Sequence, residues 1–275
     1  MVGHKMLIVT ADDFGLHRDV NEAVERAHRE GILDAASLMV GAPAAADAVA
    51  RAYRLPDLRV GLHIVLTDGW STLPWESIPD LVDIDGRFAD AMVRDGLRFF
   101  LLPRLRAQLA AEIRAQFEAF ACTGLPLDHV NAHKHFHLHP TVLDLILRVG
   151  RDYGLRAMRL PRESGGPLFL RPWLTLLRWR LRRAGIAHND FVLGLSSSGA
   201  MDEAALLAAL ENLPDGVVEM YLHPAVTSGA QIGASMREYR HADELAALLS
   251  PRVRAVAERA APHRGGFADL PTASA

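Results

Sequence analysis

Histidine is concentrated at one place in this chain. Of the thirteen histidines, His129, His133, His135, His137 and His139 fall within eleven positions. The last four alternate, which in extended chain puts them on one face. An adjacent carboxylate pair (Asp12-Asp13), a single His63 inside Gly61-Leu-His63, and a late His223-Pro224 accompany them. Two neutral imidazoles and one carboxylate, with positions left open for water, form a hydrolytic metal shell. His63, His133 and one aspartate of the pair are the expected ligands of a single divalent ion. Zinc fits best, with nickel or cobalt as substitutes, whereas magnesium prefers more oxygen ligands. The second aspartate would take the proton of the attacking water. Both reach one pocket only if the chain bends there, because strand neighbours point to opposite faces, and Phe14-Gly15 offers the bend. His223 is placed to protonate a departing amine. Arg159, in Arg159-Leu-Pro161-Arg162-Glu163, suits a guanidinium that pairs with the base aspartate and holds it ionised.

These residues need a scaffold that gathers strand ends. Lys5–Ala11, Ser37–Val40, Arg59–Leu66, Leu127–Ala132, Arg156–Leu160 and Val217–Leu222 read as short, largely apolar strands. Between them lie helical spacings over Arg18–Glu30, Ala44–Tyr53, Arg104–Ala121, Thr141–Tyr153, Asp202–Leu210 and Asp243–Leu249. Alternation of this kind predicts an α/β class and a mostly parallel sheet, with reactive groups at the C-terminal strand ends. The expectation is a single domain over residues 1–262, a distorted (β/α) barrel, with residues 67–95 and 163–200 as inserted loops and 263–275 as a flexible tail. The 67–95 stretch, rich in Trp, Pro, Gly and Asp, is long enough to act as a lid, and Trp70 and Trp75 would lend it a sugar-stacking surface.

Composition narrows the function classes. The chain has 275 residues and 30 Lys+Arg against 33 Asp+Glu, a net charge of −3, which does not support a nucleic-acid binder held by phosphate neutralisation. The single cysteine, Cys122, excludes an internal disulfide framework or a multi-cysteine zinc module, and its helical setting predicts a buried, inert thiol. There is no apolar run long enough to span a bilayer and no secretory signal pattern, so the expected location is cytoplasmic, with a peripheral place on the inner membrane face compatible. Gly165–Gly185 interleaves Leu, Phe and Trp with five arginines. That pattern fits a helix at a membrane interface and equally a packing helix with an arginine-rich outer face. A homo-oligomer is compatible with the sequence.

Taken together, Thr10-Ala-Asp-Asp-Phe-Gly15, Gly61-Leu-His63, His133-Lys-His-Phe-His137 and Tyr221-Leu-His223-Pro resemble the YdjC/ChbG-type carbohydrate deacetylases, over roughly residues 5–250. The resemblance implies a metal-dependent N-deacetylase on a distorted (β/α) barrel. Position by position, it implies Asp13, His63 and His133 as metal ligands, Asp12 as the catalytic base and His223 as the acid. Asn131 and Lys134 stand where the family often has an aspartate and a histidine. Pro79–Phe88, Asn131–Val142, Arg159–Glu163 and Ser196–Met201 are similar to the hopanoid-associated, HpnK-type branch, which implies an N-acetylglucosaminyl lipid as substrate. His135, His137, Trp70 and Glu163 are the expected substrate contacts. Two other readings stay open: a metal phosphoesterase, and a non-catalytic sugar- or lipid-binding module with a structural metal.

Overall fold

The computed structural model describes residues 5–163, 165–227 and 232–270. Strand β1 (Lys5–Phe14) is buried from Leu7 onward, so it reads as a continuous apolar run, as a strand covered on both faces must. Helix α1 (Arg18–Glu30) turns Val20, Ala23, Val24 and Ala27 inward. The pattern continues through β2 (Ala35–Leu38), α2 (Ala45–Ala52) and β3 (Arg59–Ile64), then β4 (Gly69–Trp70), β5 (Arg87–Phe88), α3 (Met92–Leu101) and α4 (Pro103–Cys122). It resumes with β6 (Val130–Ala132), α5 (Pro140–Gly150), α6 (Arg171–Arg183), β7 (Phe191–Leu193), α7 (Glu203–Glu211) and β8 (Gly216–Leu222). Helices His241–Leu249 and Pro251–Ala260 and a two-residue β9 (His263–Arg264) follow.

The main sheet runs β6-β3-β2-β1-β8-β7, every pairing parallel, with β9 on the lower edge of β1. Beyond β6 the ladder thins to single parallel bridges, Val130 to Met158 and Ala157 to Ala187, which carry the pairing towards β7. The sheet therefore curls into a distorted (β/α) barrel, the class expected. Its weakest wall is the stretch 156–160 with 187–190, where full strands do not form.

Two expectations change, and the 67–95 stretch is anchored on α4: Glu112 accepts the backbone N–H groups of Thr72 (2.8 Å) and Leu73 (3.0 Å), while Gln116 clasps both backbone groups of Val65 just before it. Residues 263–270 are not a loose tail, because β9 pairs with β1 and Phe267 is buried; residues 271–275 lie outside the described residues. Cys122 is exposed at the end of α4 rather than buried. Among the described residues, no helix is long and apolar enough to cross a membrane.

Candidate active site

At the C-terminal end of β1 the register against β2 shifts between Ala11 and Phe14, and Asp13 adopts a left-handed backbone with φ 65°. This bulge undoes the alternation of a regular strand and lets both Asp12 and Asp13 face the interior of the site. The turn closes at Gly15 (φ 98°), whose N–H donates to Asn21 Oδ1 at 2.7 Å; a Cβ there would press to 3.0 Å from the Met39 carbonyl oxygen.

Asp13, His63 at the end of β3 and His133 just past β6 converge although 50 and 70 residues separate them in turn. Asp13 Oδ1 lies 3.3 Å from His63 Nε2 and 3.1 Å from His133 Nδ1, and the two ring nitrogens are 3.3 Å apart. Ligands about 2.0–2.1 Å from a zinc-like ion at angles between 90° and 109° stand about 2.9–3.4 Å apart, so this triangle has the edges of one face of a coordination polyhedron. The protonation pattern agrees. His63 Nδ1 donates to Asn131 Oδ1 at 2.6 Å, which leaves the Nε2 lone pair directed at the triangle, while Asp13 Oδ2 is buried without a hydrogen-bond partner. The residues present thus fit a divalent ion. Burial by itself would lower the His133 imidazole, but the Asp13 carboxylate overrides it and lifts it to about 9, so without a metal a proton bridges the same atoms.

Asp12 lies behind this triangle. Arg159, fully buried, grips it through Nη1 (2.6 Å) and Nη2 (2.9 Å), and holds Glu219 of β8 with Nε (2.8 Å) and Nη2 (2.7 Å). Burial pushes the Asp12 carboxyl up, yet the guanidinium prevails and holds it well below the usual carboxylate range. Asn131 Nδ2 donates to Asp12 Oδ1 (3.0 Å) and Ser37 Oγ (2.8 Å), so one amide orients both His63 and the second aspartate. From Ser37 the polar chain continues to His129 Nε2 (3.0 Å) and Asp128 (2.8 Å) in the barrel interior, capped by Phe267. Gly61 is required there, since a Cβ would stand 2.5 Å from the His129 ring.

A cavity of about 180 Å³ opens onto these groups, lined by Asp12, His63, His133, His135, Tyr221 and His223 together with Leu195, Ser198, Met236 and Tyr239. His223, straight after β8, has a buried Nδ1 without a partner, and burial lowers its imidazole to a neutral resting form. Its backbone N–H donates to Glu244, which burial pushes up to about 7.

The other expected residues divide. Arg159 pairs with Asp12 as its chemistry suggested but does not reach the cavity. The alternating histidines do not form an extended row: Lys134 and His135 take left-handed backbone (φ 51° and 55°) within a tight turn over 133–138. His135 therefore faces the cavity, His137 is buried with its ring 5.9 Å from that of His135, and His139 packs on Phe99 and Phe100. Trp70 is not brought to the cavity and instead carries the Arg87 guanidinium 4.2 Å above its ring. Glu163 also stays outside it and accepts the backbone N–H groups of Leu195 and Ser196, each at 3.1 Å, positioning a wall of the cavity. Sequence reasoning missed Glu219, Ser37, Ser198 and Tyr239. Only Glu219 carried a signal, a carboxylate inside the apolar strand Gly216–Leu222.

A parallel barrel with a cluster of three donors able to hold a metal at its C-terminal rim, backed by a buried carboxylate, defines the class of α/β barrel to which this chain conforms. Within it, the family model described as YdjC-like protein matches residues 6–259, and the chain belongs to that family. It is 30% identical over 249 residues to a carbohydrate deacetylase of Brevibacillus brevis (90% of this chain, 92% of the relative). It is 31% identical over 257 residues to a carbohydrate deacetylase of Geobacillus stearothermophilus (92% and 93%). A crystal structure from Enterococcus faecalis V583 superposes with a TM-score of 0.75 at 24% identity over 94% of this chain and 95% of that one, a likeness of fold.

Proposed function

We propose that this protein is a zinc-dependent N-deacetylase that removes the acetyl group of an N-acetylglucosaminyl lipid of the hopanoid type, releasing acetate. The observation that carries the reading is the triangle of Asp13, His63 and His133 opening onto a cavity beside an ionised Asp12. The two curated relatives are carbohydrate deacetylases, which supports the sugar amide as the bond attacked. The lipid acceptor rests on the resemblance of residues 79–88, 131–142, 159–163 and 196–201 to the hopanoid-associated branch.

When bound, the ion supplies Lewis acidity and lowers the pKa of water from about 15.7 towards roughly 7. Asp12, kept charged by Arg159, can only accept a proton and takes it from the attacking water. Asn131 fixes Asp12 and His63 together, so the acceptor and the ligand keep one geometry. His223 approaches from the β8 side and donates to the departing amine. Because it rests neutral, His223 must first take up a proton from solvent in the cavity, which it does as negative charge develops nearby and raises its proton affinity. It then passes that proton to the departing amine, while the proton on Asp12 is later released to solvent. Tyr221 and His135, 3.3 Å apart, line the wall where hydroxyls of the sugar would lie.

A phosphoesterase with two metals is less well supported, because one donor cluster alone occurs among the described residues. A purely structural metal is disfavoured by three donors instead of four. The test offers purified, zinc-loaded protein an N-acetylglucosaminyl hopanoid, a chitooligosaccharide and a sugar phosphate. Acetate release from the glycolipid supports the reading; phosphate release, or acetate from the chitooligosaccharide alone, overturns it.

A further inference from the structure

Helices at a protein surface normally turn their apolar stripe to the core. Two helices here also turn one outward. On α3, Val93 (81% exposed), Leu97, Phe100 and Leu101 lie at i, i+4, i+7 and i+8 on the solvent side, while Asp95 and Phe99 face inward. On α6 the inward residues are Leu177 and Leu181, and the outer face carries Leu176 and Trp179, continued by Leu168 and Phe169 (80% exposed) in the turn before it. The arginines of this segment divide: Arg171, Arg182 and Arg183 stay exposed beside the apolar stripe. Arg178 and Arg180 are turned aside into ion pairs with Asp190 and Asp144.

The two helices rest on the same short stretch of chain. Phe99 stacks on Phe136 (5.4 Å between centroids), Phe100 meets the His139 ring, and Trp173 Nε1 donates to the Leu138 carbonyl at 3.0 Å. That stretch begins at the ligand His133, so the exposed stripes flank the segment that builds the active site. Around them Arg171, Arg182 and Arg183 form no ion pair with a described carboxylate, and Arg183 lies over the Trp179 ring (5.4 Å). Apolar and aromatic side chains ringed by unpaired cations match the depth profile of an anionic bilayer surface, acyl chains beneath and phosphates above. Pairing of this face with a second copy would set the same arginines against one another.

We propose that α3 and the Leu168–Arg183 segment together form a membrane-docking surface that seats the active-site rim on an anionic lipid bilayer. The proposal does not depend on which bond the site hydrolyses. It is tested by co-sedimentation of the zinc-loaded protein with vesicles of phosphatidylglycerol and phosphatidylcholine, or of phosphatidylcholine alone. Two double variants at exposed positions, Leu97→Glu/Phe100→Glu and Phe169→Glu/Trp179→Glu, are compared by thermal melting and by acetate release from a small soluble N-acetylated sugar, so that folding or catalytic failure is seen separately. The expected result is retention on anionic vesicles that falls at least tenfold in each double variant and at least tenfold on neutral vesicles, with melting unchanged. The proposal is overturned if the parent protein stays in the supernatant, if either variant binds like the parent, or if neutral vesicles retain it equally. A dimer in sedimentation velocity that both variants dissociate, without vesicle binding, also overturns it.

Discussion

Arg159→Met is the most informative perturbation of the buried charge cluster. It removes the cation that four hydrogen bonds of 2.6–2.9 Å tie to Asp12 and Glu219, while an unbranched side chain keeps much of the volume. Two carboxylates are then left in the barrel without a counter-charge. Breaking a buried pair by deleting one partner costs about 3–5 kcal/mol, chiefly through the uncompensated charge. With an unfolding entropy of about 2.1 cal/mol/K per residue over 275 residues, that becomes a fall in Tm of about 5–9 °C. The companion variant Arg159→Met/Asp12→Asn/Glu219→Gln removes the stranded charges as well and should regain most of the loss. Turnover should fall with the single change, because burial, with its strongest opponent removed, pushes Asp12 towards its neutral form and moves the acid limb of the activity profile to higher pH. Thermal melting at pH 7.5 and acetate release from pH 5 to 9 measure both. A Tm loss under about 2 °C, or a triple variant no more stable than the single one, would refute the reasoning that the guanidinium matters through the charges it compensates.

Asp12→Asn should retain zinc and lose about 10²–10⁴-fold in turnover, whereas Asp13→Ala should lose the metal itself; equilibrium dialysis beside acetate release distinguishes them. Asn131→Ala removes the acceptor that fixes the His63 tautomer, and zinc affinity by competition with a chelator should weaken about 10–100-fold. Glu244, raised from 4.5 to about 7 by burial, binds a proton in the folded state that the unfolded chain has released between those values. Stability from this group therefore falls as pH rises from 4.5 to 7, and the difference in unfolding free energy between Glu244→Gln and the parent should shift by about 3 kcal/mol in the variant's favour over that window. Denaturant melts at pH 4.5 and 7.5 read it, and a constant difference would remove Glu244 from the account.

Much of the barrel was legible because buried parallel strands must be apolar runs, and Lys5–Phe14, Arg59–Ile64 and Gly216–Leu222 are. The wall at 156–160 and 187–190 was only half legible: it pairs through isolated bridges, which leave little imprint on residue choice. Helix α3 was missed because its apolar residues serve two sides at once, which blurs the 3.6-residue period, and it follows a stretch punctuated by Pro and Gly. At the site, Asp13, His63 and His133 were visible as types that are costly to bury without a purpose. The fate of their neighbours was not, since the left-handed backbone at Lys134 and His135 occurs without glycine and turns a seeming row of imidazoles into a tight corner. Trp70 and Glu163 lie near in sequence to plausible walls, but local partners, Arg87 and the 195–196 amides, claim their side chains.

The backbone at Asp13 has a consequence for how this protein evolves. Left-handed geometry costs a residue other than glycine roughly 1–2 kcal/mol, and here it falls on a carboxylate that is also shut away from water. Glycine at that position would relieve the backbone but would also strip His133 of the carboxylate that overrides burial and lifts its pKa to about 9, so the two contributions oppose each other. Any replacement at residue 13 therefore trades relief of the backbone against loss of the carboxylate that His63 and His133 face.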